Sequence, residues 1–168
     1  MACSIRIARK EDQAAIWDIF HAIVAPGDTY AFDPEITRDV ALAYWFAPGN
    51  RTYVAEEDNS IAGTYILRAN QPGPGSHVAN AAFMVAPSAR RTGIGRAMAE
   101  HCLGEARRLG FRAMQFNYVV STNEAAVRLW KQLGFAIVGT LPAAFRHPRL
   151  GFVDVYVMFK EVNDPEPG

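Results

Sequence analysis

The segment Val85-Ala-Pro-Ser-Ala-Arg90-Arg91-Thr92-Gly93-Ile94-Gly95-Arg96 places two glycines and three arginines between an apolar run, Val78 to Val85, and an amphipathic run, Ile94 to Leu109. These residue types at this spacing suit a phosphate or pyrophosphate. Glycine lets a backbone pass close to a ligand without Cβ obstruction. The first N–H groups of a helix lack intrahelical partners and carry the positive end of the helix dipole. A strand-to-helix turn of this kind therefore seats an anion. The guanidinium groups of Arg90, Arg91 and Arg96 can add charge-assisted contacts.

Other polar residues interrupt apolar surroundings. Asn80 and Asn117 each break an otherwise apolar strand. A buried amide is costly unless it is satisfied or has a task. Each can orient an amine or polarise a carbonyl, or be a satisfied structural amide. The strand carrying Asn80 has no carboxylate, and His77 at its start reads as a surface residue or as a base. The loop Tyr30-Ala-Phe32 reads either as the wall of an acceptor pocket or as packing between two helices.

The elements that must hold these groups follow from periodicity. Ser4 to Ala8 reads as a strand. Asp12 caps a helix in which Ile16, Ile19, Phe20 and Ile23 share a face. Thr37 caps a second helix through Trp45, stopped by Pro48-Gly49. Arg51–Glu56 and Ile61–Arg68 read as a hairpin across Glu57-Asp-Asn-Ser60. A strand from His77 to Val85 leads into the glycine turn. The next helix holds Ile94, Met98, Cys102 and Ala106 at spacing four, with Ala97 and Leu109 beside them, and Gly110 closes it. Phe111–Val120 is a strand. Ser121-x-x-Glu124 reads as a capping box opening a helix of Ala126, Leu129, Trp130 and Leu133. Strands Phe135–Thr140 and Phe152–Phe159 follow. Three strands in succession, then alternation with helices, imply an α/β fold with a mixed sheet and helices on both faces.

Composition narrows the classes. The 168 residues suit one domain, 1–162, with a loose tail at 163–168. Half the residues are hydrophobic, and 17 basic residues balance 17 acidic ones. That balance gives no bulk argument for nucleic acid or an anionic membrane. The cysteines, Cys3 and Cys102, are too few for a disulfide framework or a zinc site. No signal-peptide core and no long apolar stretch is present, so a cytoplasmic setting is the expectation.

Three phosphate motifs compete for the turn. A P-loop needs a Gly-Lys-Ser/Thr ending, which is absent. A dinucleotide fingerprint needs a third glycine where Met98 stands. The third option fits: Arg90-x-x-Gly93-x-Gly95, after a strand ending Val85-x-Pro87, resembles the acetyl-CoA signature of the Gcn5-related N-acetyltransferases (GNAT). Asn123-x-x-Ala126-x-x-Leu129-Trp130-x-x-x-Gly134-Phe135 resembles that family's next helix and strand, and the resemblance runs from Ile5 to Val162.

The resemblance implies the GNAT fold, a twisted mixed sheet of about seven strands. In it two parallel neighbours, here His77–Val85 and Phe111–Val120, splay apart. It implies acetyl-CoA as cosubstrate and no metal. Pantetheine would pair with backbone around Phe83 and Val85. The pyrophosphate would sit on the N–H groups from Arg91 to Arg96, Thr92, Gly93 and Gly95 included. Asn123, Ala126 and Trp130 would reach the cofactor from the following helix. Many relatives carry a tyrosine where Trp130 stands, as acid for the leaving thiolate. An indole N–H is no useful acid, which turns attention to Tyr118, Tyr156 or water.

The implied activity is N-acetylation of a small-molecule amine by direct attack in a ternary complex, and dimers are common in the family. A CoA-binding sensor without turnover and a protein N-acetyltransferase are the alternatives. Ser76-His-Val-Ala-Asn80-Ala-Ala-Phe83, with Phe116-Asn117-Tyr118-Val119 and Thr122-Asn123, also resembles the yeast N-acetyltransferases of proline analogues such as azetidine-2-carboxylate. That subgroup points to an amino-acid or proline-like acceptor.

Overall fold

The computed structural model describes residues 3–163. From residue 164 on, the expected tail lies outside the described residues. The element order matches the periodicity: β1 (Ser4–Ile7), α1 (Gln13–Val24), α2 (Arg38–Trp45), β2 (Arg51–Glu57), β3 (Ser60–Ala69), β4 (Val78–Val85), α3 (Ile94–Arg108), β5 (Ala113–Val120), α4 (Glu124–Gln132), β6 (Ala136–His147) and β7 (Gly151–Glu161). The strands form one seven-stranded sheet in the order β1-β2-β3-β4-β5-β7-β6. It is mixed, because β4 and β5 run parallel while β1–β2, β2–β3, β5–β7 and β6–β7 run antiparallel.

The chain divides into two compact units. The first holds the described residues up to Arg68 together with Ala82–Cys102. Its β2–β3 hairpin turns through Asp58 and Asn59, both at positive φ (51° and 63°). A tight hairpin demands that conformation, and Asp and Asn tolerate it. β3 is covered on both faces. On one, the buried Trp45 Nε1 donates to Thr64 Oγ1 at 3.0 Å, and Thr64 Oγ1 donates to the Tyr53 carbonyl at 2.7 Å. On the other, Tyr65 hydroxyl meets His101 Nδ1 at 2.7 Å, and a Cβ on Gly63 would lie 2.7 Å from Met98 Cε. Two covered faces explain why Ala62 to Leu67 is apolar with little alternation.

Two local readings need correction in this unit. Asp12 does not cap α1 through its side chain. Its carboxylate accepts the Arg9 N–H at 2.6 Å and two bonds from the Arg6 guanidinium, at 2.8 and 3.0 Å. The charged fork of Arg6, six residues back on β1, outcompetes the helix amides. The buried face of α1 is Ile16, Ile19, Phe20 and Val24, with Ile23 only half-buried.

The second unit holds Ala69–Ala81 and the described residues from Leu103 on. Phe116 of β5 packs on Trp130 of α4 (4.5 Å between centroids) and on Phe135 (4.6 Å). The expected Ser121–Glu124 capping box does not form. Asn123 is the N-cap, its side chain accepting the Ala126 N–H at 3.4 Å. β5 begins at Ala113 instead of Phe111. β6 runs past Thr140 to His147, with a register shift between Leu141 and Phe145 that Ala143 negotiates at φ 51°.

Candidate active site

The glycine turn belongs to the first unit, and its backbone follows from two left-handed residues, Arg91 (φ 66°) and Gly93 (φ 92°). The first helical bond of α3 runs from Ala97 N–H to the Gly93 carbonyl at 3.0 Å. The amides of Ile94, Gly95 and Arg96 therefore precede the intrahelical ladder. Thr92 Oγ1 donates to the Ala89 carbonyl at 2.7 Å, so this hydroxyl staples the turn. Arg90 and Arg91 are exposed. Arg96 reaches Glu100, one helical turn on, at 3.5 Å. A Cβ on Gly95 would meet Val85 Cγ2 at an ordinary 3.6 Å, and one on Gly93 would meet nothing within 4 Å.

Immediately before the turn, β4 presents a defined backbone edge. The Val78 carbonyl accepts the Asn70 N–H and the Ala86 N–H donates to the Ala62 carbonyl, both at 2.8 Å. Both ends of β4 thus turn toward β3. By strand alternation, the N–H and C=O groups of Phe83 and Val85 face the opposite edge. The Phe83 carbonyl accepts the Tyr30 hydroxyl. Burial pushes the Tyr30 phenol up to about 12. The Phe83 ring stacks on Tyr65 at 5.2 Å.

From Tyr30 an aromatic wall continues within this unit. Tyr30 stacks with Phe32 at 6.0 Å, and Phe32 meets Tyr44 edge-on at 4.9 Å. Arg68 Nη2 donates to the Tyr44 hydroxyl at 3.0 Å, its guanidinium carbon 5.4 Å from the Tyr44 ring centroid. The loop holding Tyr30 and Phe32 thus both packs against a helix and reaches the β4 backbone.

In the second unit the β4–β5 ladder pairs Val78 with Ala113 and Ala79 with Met114, and stops there. Asn80 is buried, and its Nδ2 donates to the Gln115 carbonyl at 2.9 Å. Asn117 corrects the sequence reading, because it is exposed and not buried. It joins a file of amides: Gln115 Nε2 donates to Asn117 Oδ1 at 2.9 Å, and Asn117 Nδ2 donates to Asn70 Oδ1 at 2.6 Å. Tyr118 donates its hydroxyl to the Ala144 carbonyl, so that proton is already engaged. Tyr156 lies in the β7 ladder opposite Val119 and Thr140.

On α4, Asn123 spends its side-chain oxygen on the helix cap, and Ala126 supplies the amide it accepts. Trp130 is 8% exposed and wedged between Phe116 and Phe135. Beside Asn123, the buried Thr122 Oγ1 has no hydrogen-bond partner among the described residues. His77 sits at the paired start of β4, where its carbonyl accepts the Arg112 N–H at 2.9 Å. It lines a cavity of about 460 Å³ with Arg112, Glu161 and Asn163. His77 precedes β4 at the end remote from the turn.

The sequence reading missed Tyr44, Arg68, Asn70, Gln115 and Thr122. Tyr44 meets Arg68 and Asn70 meets Asn117 from other elements, which no local spacing marks. The one available signal was Arg68, a cation at the end of an apolar strand.

Among the described residues no group of three or more His, Cys, Asp or Glu is arranged to hold a metal, and no helix is long and apolar enough to cross a membrane.

The model of the acetyltransferase (GNAT) family matches residues 13–135. N-acetyltransferase aca1 of Schizosaccharomyces pombe is 34% identical over 148 residues, 78% of this chain and 71% of the relative. The L-amino acid N-acyltransferase MnaT of Escherichia coli is 29% identical over 143 residues, 83% of each chain. The solved structure of a GCN5-related N-acetyltransferase from Kribbella flavida aligns with a TM-score of 0.91 at 46% identity, over 95% of this chain and 98% of that one. That of yncA from Salmonella typhimurium, with its cofactor acetyl-CoA, aligns at 0.85 and 25% identity, over 100% and 98%.

Proposed function

The chain belongs to the GNAT acetyltransferase family, and from that premise we propose that it transfers the acetyl group of acetyl-CoA to the amine of a small amino acid. The family match runs through both units, which is the ground for treating 1–162 as one catalytic domain. The observation that carries the cofactor reading is the β4 edge followed by a turn whose amides precede the first helical bond. Acetyl-CoA fits that backbone. Gly93 and Gly95 leave the turn uncluttered, and Arg90 and Arg91 are exposed beside it. The amides of Ile94, Gly95 and Arg96 would hold the pyrophosphate, and the Phe83 and Val85 edge would hold the pantetheine arm. A structural relative at 25% identity was solved with acetyl-CoA, which supports the same cosubstrate here.

Bound acetyl-CoA supplies an activated thioester. The acceptor nitrogen forms the new C–N bond, the C–S bond breaks, and the sulfur leaves as CoA thiol once the amine's proton is released. This chain's residues contribute positioning and polarisation. β4 holds no carboxylate to act as base. The Tyr118 hydroxyl is committed to Ala144. The acceptor class rests on the aromatic wall from Tyr30 to Tyr44 and on the amino-acid N-acyltransferase among the relatives.

The test is thiol release from acetyl-CoA across a panel of amino acids, polyamines and peptide N-termini, with the acetylated product identified by mass. Release with amino acids supports the proposal. Release only with peptides makes the chain a protein acetyltransferase. Tight acetyl-CoA binding with no thiol from any acceptor makes it a sensor.

A further inference from the structure

Arg68 is a half-buried cation at the end of β3. Among the described residues the ion pairs are Arg6 with Asp12 and Glu56, Arg96 with Glu100, and Arg108 with Glu105. None supplies Arg68 with a carboxylate. Asp33, in the aromatic loop, turns its Oδ1 to the Glu35 N–H at 2.9 Å. What Arg68 does have is orientation. One Nη2 donor is held by the Tyr44 hydroxyl at 3.0 Å, and the Tyr44 ring lies under the guanidinium at 5.4 Å. A guanidinium has five donors in a rigid fork. Two contacts that fix its plane without neutralising it leave a preorganised seat for an anion.

The surroundings say which anion. Tyr44 is continuous with Phe32 and Tyr30, and Tyr30 touches the β4 backbone at Phe83. The ligand of this seat is therefore flanked by aromatic surface on the way to the strand proposed to carry the acetyl donor. We infer that Arg68 is the carboxylate anchor of the acceptor pocket. It selects α-amino acids with a free carboxylate, whose side chain lies against Phe32 and Tyr44 while the amine is directed toward β4. The inference rests on the acetyltransferase reading above and adds the feature that excludes polyamines, amides and peptide N-termini. Alternation places Arg68 on the same face of β3 as Thr64, which is the face α2 covers. The anchor and the wall thus belong to one packed layer.

A specificity residue and a purely structural one make different predictions. Acetylation is measured with matched pairs, each L-amino acid beside its primary amide, for the wild type, Arg68→Leu, Arg68→Lys and Tyr44→Phe. The wild type should favour the free acid by on the order of 100-fold in kcat/KM. Arg68→Leu should raise KM for the acid by about that factor, leave kcat nearly unchanged, and leave the amide's kcat/KM where it was. Arg68→Lys should recover part of the preference, because charge survives while the fork does not. Tyr44→Phe, the milder change, should weaken the preference while leaving the charge in place.

Acetyl-CoA affinity by calorimetry and the melting temperature should be unchanged in Arg68→Lys and Tyr44→Phe, which separates loss of selection from loss of fold. Equal use of acid and amide by the wild type, or a parallel loss of both in the variants, overturns the anchor and leaves the acetyltransferase reading standing. Acetyl-CoA binding without acetylation of either member of any pair, or of a polyamine, overturns both.

Discussion

The Asn80 carboxamide donates to the backbone carbonyl of Gln115 at 2.9 Å, one residue beyond Ala79↔Met114, the last pair of the β4–β5 ladder. A side chain thus takes the carbonyl next in line for a ladder bond. Asn80 marks where parallel pairing ends, and its buried amide has a backbone partner there. Asn80→Ala leaves the Gln115 carbonyl without this donor and should cost about 1–2 kcal/mol of stability. Asn80→Asp sets an acceptor against an acceptor and should cost more. Urea unfolding of both variants measures this, and equal stability of Asn80→Asp and wild type would remove Asn80 from the role.

The two glycines of the turn should separate folding from binding. Gly93 sits at φ 92°, a region a side chain adopts only with strain, so Gly93→Ala should lose about 1–2 kcal/mol of stability. Gly95 is inside α3, and a Cβ there meets only Val85 at 3.6 Å. Gly95→Ala should therefore melt at or above the wild-type temperature, since alanine gains helix propensity of about 1 kcal/mol. Its acetyl-CoA Kd should nevertheless rise at least about tenfold if the turn backbone abuts the pyrophosphate. Calorimetry beside thermal melts checks both halves, and a Gly95→Ala protein with unchanged affinity contradicts the pyrophosphate seat.

Tyr30 occupies a carbonyl that the pantetheine arm is proposed to use. Tyr30→Phe should release the Phe83 carbonyl and tighten acetyl-CoA binding several-fold, while costing about 1 kcal/mol in the free protein. Burial lifts this phenol to about 12. Ultraviolet titration of wild type minus Tyr30→Phe should therefore show a difference transition near that value, well above an exposed tyrosine. A difference transition near pH 10 would mean that the hydroxyl is not sequestered against β4.

Arg6 gathers Asp12 and Glu56, and hydrogen bonds from Arg6 hold both carboxyls below their usual range. A carboxyl whose folded pKa is depressed stabilises the fold fully above its unfolded value, near pH 4, and loses that contribution as pH falls through the folded value. Asp12→Asn should accordingly destabilise the protein by about 1–2 kcal/mol at pH 7, with the gap from wild type closing below pH 4. Stability curves against pH for both proteins decide it, and a gap independent of pH would exclude the charge as its cause.

Much of the fold was legible because single periodicities decided it. Ile94, Met98 and Cys102 at spacing four are buried as expected, and Gly110 and Gly134 stop their helices at φ 83° and 90°. β6 beyond Thr140 was not legible. Pro142 argues against a strand except at an edge, and β6 is the edge. There the Ala143 N–H is satisfied by the Asp154 side chain at 2.9 Å, a long-range substitute for a ladder bond that spacing cannot announce. The turn from Arg90 to Arg96 was readable because glycine and arginine are local signals. The proposed Arg68 anchor was not, since Arg68 and Tyr44 meet across 24 residues of chain. Asn117 misled for a related reason: the strand reads apolar through Phe116 and Val119, while Asn117 faces out with Gln115.

Amide hydrogen exchange with and without acetyl-CoA tests the proposed cofactor seat most directly. The account predicts slowed exchange at Phe83 and Val85 and across residues 91–96, with ATP or NAD at the same concentration protecting far less. Protection confined to other segments, with β4 and the turn exchanging at the same rate in both states, would contradict it.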